Sequence, residues 1–191
     1  YPTICRSDAA IHAVSPTQRP AEISVPVSTI APAIPRAIGS FAAVSETILT
    51  TDDYDGVRSL WLTIKGFAIR SIDDSKEGVG TFLKRNPTTS VVAEDNGVIV
   101  GSILCGHDGR RGTLYHVCVA QDYRNHGIGK AMVVRAMEAL EAEHVSNVTL
   151  IAFTENDIGN AFWKHIGWRK REDCNYYDFV LNKENIINFN K

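Results

Sequence analysis

The stretch Val117-Cys118-Val119-Ala120-Gln121-Asp122-Tyr123-Arg124-Asn125-His126-Gly127-Ile128-Gly129-Lys130-Ala131 decides how the rest of the chain is read. It begins apolar and β-branched, turns polar, and then places two glycines at the head of a run with helical periodicity. A strand that passes through a short loop into a glycine turn and a helix leaves several backbone N–H groups without intrahelical partners. They point at one spot, and the helix dipole reinforces them. Such a spot holds phosphate. Gly127 and Gly129 let an anion approach the backbone closely, while Arg124, Lys130 and His126 supply positive charge.

Two familiar phosphate loops fit these residues badly. A dinucleotide fingerprint wants a third glycine where Met132 stands and an acidic residue at the end of the next strand, where the chain reads Ile151-Ala152-Phe153. A P-loop wants glycine at 124 and Ser or Thr at 131, but the residues are Arg124 and Ala131. What remains is a turn suited to a diphosphate without magnesium ligands.

Working outward, Ile128, Met132, Val133, Ala136, Met137, Ala139 and Leu140 share one half of a helical wheel, so a long amphipathic helix should lie on a sheet. Upstream, the pattern predicts strands over 90–94, 98–105 and 113–119, the first two joined by Asn96-Gly97, a pair suited to a tight hairpin. Before them come a short strand at 47–49, a helix carrying Tyr54, Val57, Trp61 and Ile64, and a second helix over 75–85 weakened by Gly78 and Gly80. Downstream, a buried strand over 148–153, a short helix over 157–165 and a last strand over 176–181 complete the order. The fold class is therefore α/β, a mixed and mostly antiparallel central sheet flanked by helices.

Residues 1–43 differ in composition. Six of the seven prolines lie there among Ala, Ser and Thr, so this segment reads as a tail or linker and 44–191 as the domain. With 20 basic and 22 acidic residues among 191, the formal charge of −2 gives no general attraction for nucleic acid or an anionic membrane. The apolar runs are too short to span a bilayer. Cys5, Cys105, Cys118 and Cys174 form no CxxC pair, which speaks against a zinc ribbon and for a reducing, cytoplasmic setting with no metal.

Arg124-Asn125-His126-Gly127-Ile128-Gly129 resembles the (Arg/Gln)-x-x-Gly-x-(Gly/Ala) signature of the GNAT superfamily of N-acetyltransferases. A second segment agrees: Asn156-Asp157-Ile158-Gly159-Asn160-Ala161-Phe162-Trp163-Lys164-His165-Ile166-Gly167-Trp168 is similar to that family's later motif, at the correct spacing. The resemblance covers residues 44 to 182 and extends to small bacterial acetyltransferases related to those acting on ribosomal-protein N-termini. It implies acetyl-CoA as co-substrate and transfer of acetyl to a primary amine of a small molecule or peptide, by a monomer or homodimer. It also assigns the backbone of Val117 and Val119 to pairing with the pantetheine arm, with the Val117 N–H on the acetyl carbonyl. The turn from Asn125 to Lys130, with Arg124, would hold the diphosphate. Asn156 would hydrogen-bond the pantetheine arm, an assignment that competes with an ordinary helix cap. Trp163 would complete the cofactor site.

Two positions depart from the family pattern. Trp163 stands where many members carry the tyrosine that protonates the departing thiolate, and indole cannot do this. Ile151 stands where the ribosomal-protein enzymes carry their glutamate base, which removes the ground for an N-terminal-alanine substrate. Among replacements, His116 would share a strand face with Cys118 while Tyr115, Val117 and Val119 share the other. It is either an acid–base group or a hydrogen-bonded core histidine. Tyr123 is a weaker candidate, His107 a solvated one, and Cys105 and Cys118 read as core. A non-catalytic acyl-CoA-binding module is the alternative to an enzyme.

Overall fold

A computed structural model describes residues 44–190. The expectation of a tail over 1–43 lies outside those residues. The central sheet has the order β1-β3-β4-β5-β6, with β1 Ser45–Ile48, β3 Val91–Asp95, β4 Val98–His107, β5 Gly112–Val119 and β6 Val148–Leu150. Every pairing in it is antiparallel except β5 with β6. A second, two-stranded sheet joins β2 (Ala68–Arg70) to β7 (Ile187–Phe189).

The apolar alternation along the strands separates two cores. On one face α3 (Ile128–Ala142) lays Met132, Val133, Ala136 and Leu140 over Val91, Ala93, Val100, Ile103 and Leu114. On the other, α1 (Tyr54–Thr63) and α2 (Lys76–Arg85) pack Val57, Leu60, Trp61, Val79 and Leu83 against Val92, Leu104 and Cys118. The Asn96-Gly97 hairpin forms as its residue types require, both residues having positive φ (50° and 82°). Ser75 caps α2 by accepting the Gly78 N–H at 3.1 Å. Gly78 itself is required by contact, because a side chain there would strike the carbonyls of Ile72 and Asp73. The glycine that lowers helix propensity thus lets α2 begin tight against the preceding turn.

The sequence expectations need correction in three places. The strand expected over 148–153 stops at Leu150, and Ile151 and Phe153 are 62% and 56% exposed. β6 is an edge strand, and its pairing with β5 ends at Leu114–Leu150. The strand expected over 176–181 does not form. Neighbouring apolar residues at 176–177 and 179–181 break the two-residue period, no ladder among the described residues pairs with the segment, and its side chains are exposed. The terminal strand is instead β7, which the sequence reading missed together with its partner β2. Each has three residues, too few to show a period.

Across the sheet, the buried Trp61 indole donates to Ser102 Oγ at 2.9 Å, which in turn donates to the His116 carbonyl at 3.4 Å. Replacing Ser102 by Ala leaves the indole N–H without an acceptor, so urea unfolding of that variant should show a loss of about 1–3 kcal/mol.

Candidate active site

β5 is the strand on which the site is built. Its pairing with β4 runs Ser102↔Cys118 and then Leu104↔Tyr115, so one residue of β4, Ile103, stands opposite two of β5, His116 and Val117. The extra residue is accommodated at His116, whose φ of 49° is left-handed, a β-bulge that breaks the alternation of side chains. Tyr115 stacks edge-on against Phe82 of α2, and His116 packs on Trp61 of α1, so both face the α1–α2 side. The expectation that Tyr115 shares a face with Val117 and Val119 is therefore incorrect. Val117 and Val119 turn toward the α3 core and Cys118 toward the other.

On its opposite flank β5 pairs with β6 only over Gly112, Thr113 and Leu114. From Tyr115 to Val119 no strand among the described residues covers that flank, which leads into the 3₁₀ turn Gln121–Tyr123 and then α3. Gly127 is the N-cap of α3 at φ 84°, Asn125 is left-handed at 64°, and no side chain caps the helix. No acidic residue stands in its first turn. By contrast, α2 and α4 (Asp157–His165) are capped by Ser75 and Asn156 and carry Glu77 and Asp157 in their first turns. Among the described residues, then, no side chain accepts from the first amides of α3.

The other residues singled out from sequence fall around this turn. Arg124 Nε donates to the Val119 carbonyl at 3.0 Å, tying the loop to the end of β5. Gly129 is helical, and a Cβ there would make ordinary contact, 3.4 Å from Phe162 and 3.5 Å from Val119. Asn156 Oδ1 accepts the Gly159 N–H at 2.9 Å, the cap geometry. Trp163 lies in an aromatic cluster with Phe162 and Trp168, at centroid distances of 5.0 and 4.9 Å. The Tyr123 hydroxyl donates to Asp95 at 2.8 Å, and that bond holds its pKa above the ordinary phenol value.

His116 has a partner that sequence reading missed. Its Nε2 lies 2.6 Å from Oδ1 of Asp74, in the turn after β2. The Asp74 side chain is 6% exposed and that of His116 18%. The residues are 42 apart, and nothing in the spacing of either announces the pair. Burial pushes the Cys105 thiol up to about 12 and that of Cys118 to about 11, so neither is a nucleophile. Among the described residues no group of His, Cys, Asp and Glu is placed to hold a metal, and no helix is long and apolar enough to cross a membrane.

The chain belongs to the acetyltransferase (GNAT) family, whose model matches residues 55–168. Acyl transfer is the activity that this membership supports. An acetyltransferase of Pectobacterium atrosepticum is 34% identical over 110 residues, 58% of this chain and 77% of its own length. Among solved structures, a PaiA N-acetyltransferase from Thermoplasma acidophilum in complex with coenzyme A superposes with a TM-score of 0.60 at 13% identity, covering 76% of this chain and 96% of its own. A ribosomal-protein-alanine N-acetyltransferase from Brucella melitensis biovar Abortus does so at 0.54 and 18% identity, covering 72% and 100%. These two likenesses show the fold.

Substituting Gly129 by Val should raise the dissociation constant for acetyl-CoA more than tenfold, as measured by calorimetry, because two γ-methyls added beyond a Cβ already in contact with Phe162 and Val119 crowd the start of α3 where an anion would approach the backbone. The far-ultraviolet circular dichroism should stay that of the parent.

Proposed function

We propose that the chain is an N-acetyltransferase that moves an acetyl group from acetyl-CoA to a primary amine of a small molecule or peptide. The flank of β5 that no described strand covers, which ends at the start of α3 where no described side chain caps the helix, carries this reading. An extended pantetheine arm along Val117 and Val119 would add to the sheet as a short strand, with the Val117 N–H polarising the acetyl carbonyl. The diphosphate would rest on the N–H groups of the Asn125–Lys130 turn, with Arg124, His126 and Lys130 supplying charge. Asn156 already uses its side-chain oxygen in the α4 cap, so its amide nitrogen is the group left to meet the arm.

Transfer also needs the acceptor ammonium to lose a proton. No carboxylate is present at Ile151 and no phenol at Trp163. His116 is the imidazole on the same stretch of β5 as Val117, and it takes the proton directly or through a water path. Loss of the acid at 163 is tolerable, since a thiol of pKa ~8.5 is an adequate leaving group near neutral pH. The reducing setting inferred from cysteine usage agrees with Cys105, Cys118 and Cys174 being free thiols and suits a cytoplasmic monomer or homodimer.

The residues at 151 and 163 are also what a non-catalytic acyl-CoA-binding module would carry, and one measurement separates the two readings. With acetyl-CoA and a panel of small and peptide amines, a thiol reagent should report free CoA that depends on the acceptor, and His116→Ala should lower kcat about 10 to 100-fold. Binding without turnover on any acceptor would favour the module.

A further inference from the structure

We infer that Asp74 is a positioning residue for this transfer, because it fixes His116 in the tautomer whose Nδ1 is free of a proton. The inference rests on the reading just given. Its physical basis is the division of labour between the two carboxylate oxygens. Oδ2 accepts the Arg70 N–H at 2.6 Å, and Oδ1 meets His116 Nε2 at 2.6 Å. An ionised carboxylate only accepts hydrogen bonds, so Nε2 carries the proton and the lone pair lies on Nδ1.

The surroundings hold this arrangement still. The Asp74 carbonyl accepts the Tyr54 hydroxyl at 2.9 Å, and its N–H donates to the Arg70 carbonyl at 3.2 Å. The imidazole stacks on Trp61 and Phe67, with centroids 4.5 and 4.9 Å away. The bulge turns the ring toward these groups, and a side chain 18% exposed is still within reach of an acceptor or a water. Asp74 is the ionisable group against the ring. Others on the elements around it are Tyr54, Asp55 and Arg58 of α1, Arg70 and Asp73 of β2 and its turn, and Tyr115 and Cys118 of β5. A histidine that only filled space would be served by a neutral partner, since burying a carboxylate is unfavourable unless its charge is used.

In the reaction, the acceptor R–NH₃⁺ gives one proton to Nδ1, and the neutral amine attacks the thioester carbon. The C–N bond forms and the C–S bond breaks. The remaining surplus proton leaves the nitrogen and ends on the sulfur of CoA, while the imidazolium returns its own proton to water. The products are the amide, CoA–SH and one proton.

The test is Asp74→Asn, which keeps size and shape. The Arg70 N–H can only donate, so the amide oxygen must stay on it and the NH₂ must face His116. Nε2 then has to accept, and the proton moves to Nδ1. Nitrogen-15 NMR of His116 should show the Nε2–H tautomer in the parent and the Nδ1–H tautomer in the variant. With the acceptor that releases most thiol, kcat should fall about 10 to 100-fold with KM little changed. The rising limb of the pH profile should be altered, and the Asp74→Asn, His116→Ala double variant should be no slower than either single one. An Nδ1–H tautomer in the parent overturns the inference without any assay. Parent turnover with an unchanged kcat and pH profile in Asp74→Asn overturns it and leaves the proposed function standing. No acceptor-dependent thiol release by the parent overturns the proposed function, and the catalytic use of the pair with it.

Discussion

One extra residue in β5 governs what surrounds it. Opposite Ser102 and Leu104, the left-handed backbone at His116 shifts the period of the strand by one, and the side chains beyond it exchange faces relative to those before. Without the bulge His116 and Tyr115 would lie on opposite sides of the sheet. With it both meet the α1–α2 layer, while Val117 and Val119 seal the α3 layer. Ser102 ties the distortion down, since its hydroxyl links the Trp61 indole to the carbonyl of the bulged residue. Among the described residues one flank of this strand is unpaired from Tyr115 to Val119, and one face presents an imidazole.

The parts of this fold that depend on local pattern were legible in the residues. Asn96-Gly97 announces its hairpin because its backbone angles are those the pair tolerates. Fifteen residues of α3 show enough periods to define a buried face, and the glycine turn before it carries its own chemistry. What escaped is set by distant partners. β2 and β7 are three residues each and exist because they find each other. Residues 176–181 have the composition of a strand but no ladder to join. The bulge falsified the simple two-residue alternation at Tyr115, and no rule of spacing anticipates where a ladder slips.

The same distinction applies to the candidate site. The glycine turn proposed for the diphosphate is contiguous, so its residues are read together. The Asp74–His116 pair is assembled from a turn and a strand 42 residues apart, and only the folded chain shows it. Its effect is to restore a buried carboxylate to a site whose sequence, with Ile151 and Trp163, reads as stripped of ionisable groups. The thiols of Cys105 and Cys118 add none, because burial holds them protonated.

The last described residues have an influence out of proportion to their length. Asn185 accepts the N–H groups of Ile72 and Asp73, and the Ser71 hydroxyl donates to the Glu184 carbonyl. Asn190 exchanges backbone hydrogen bonds with Gly66 and Phe67, and its amide donates to the carbonyls of Trp61 and Ile64. These contacts join positions 112 to 129 residues apart. On the ribosome, therefore, all five strands of the central sheet and α3 precede α4, whereas the turn bearing Asp74 waits for residues 184–186 before it is locked. The two sides of the sheet mature at different moments of synthesis, and the side that carries His116 is finished last.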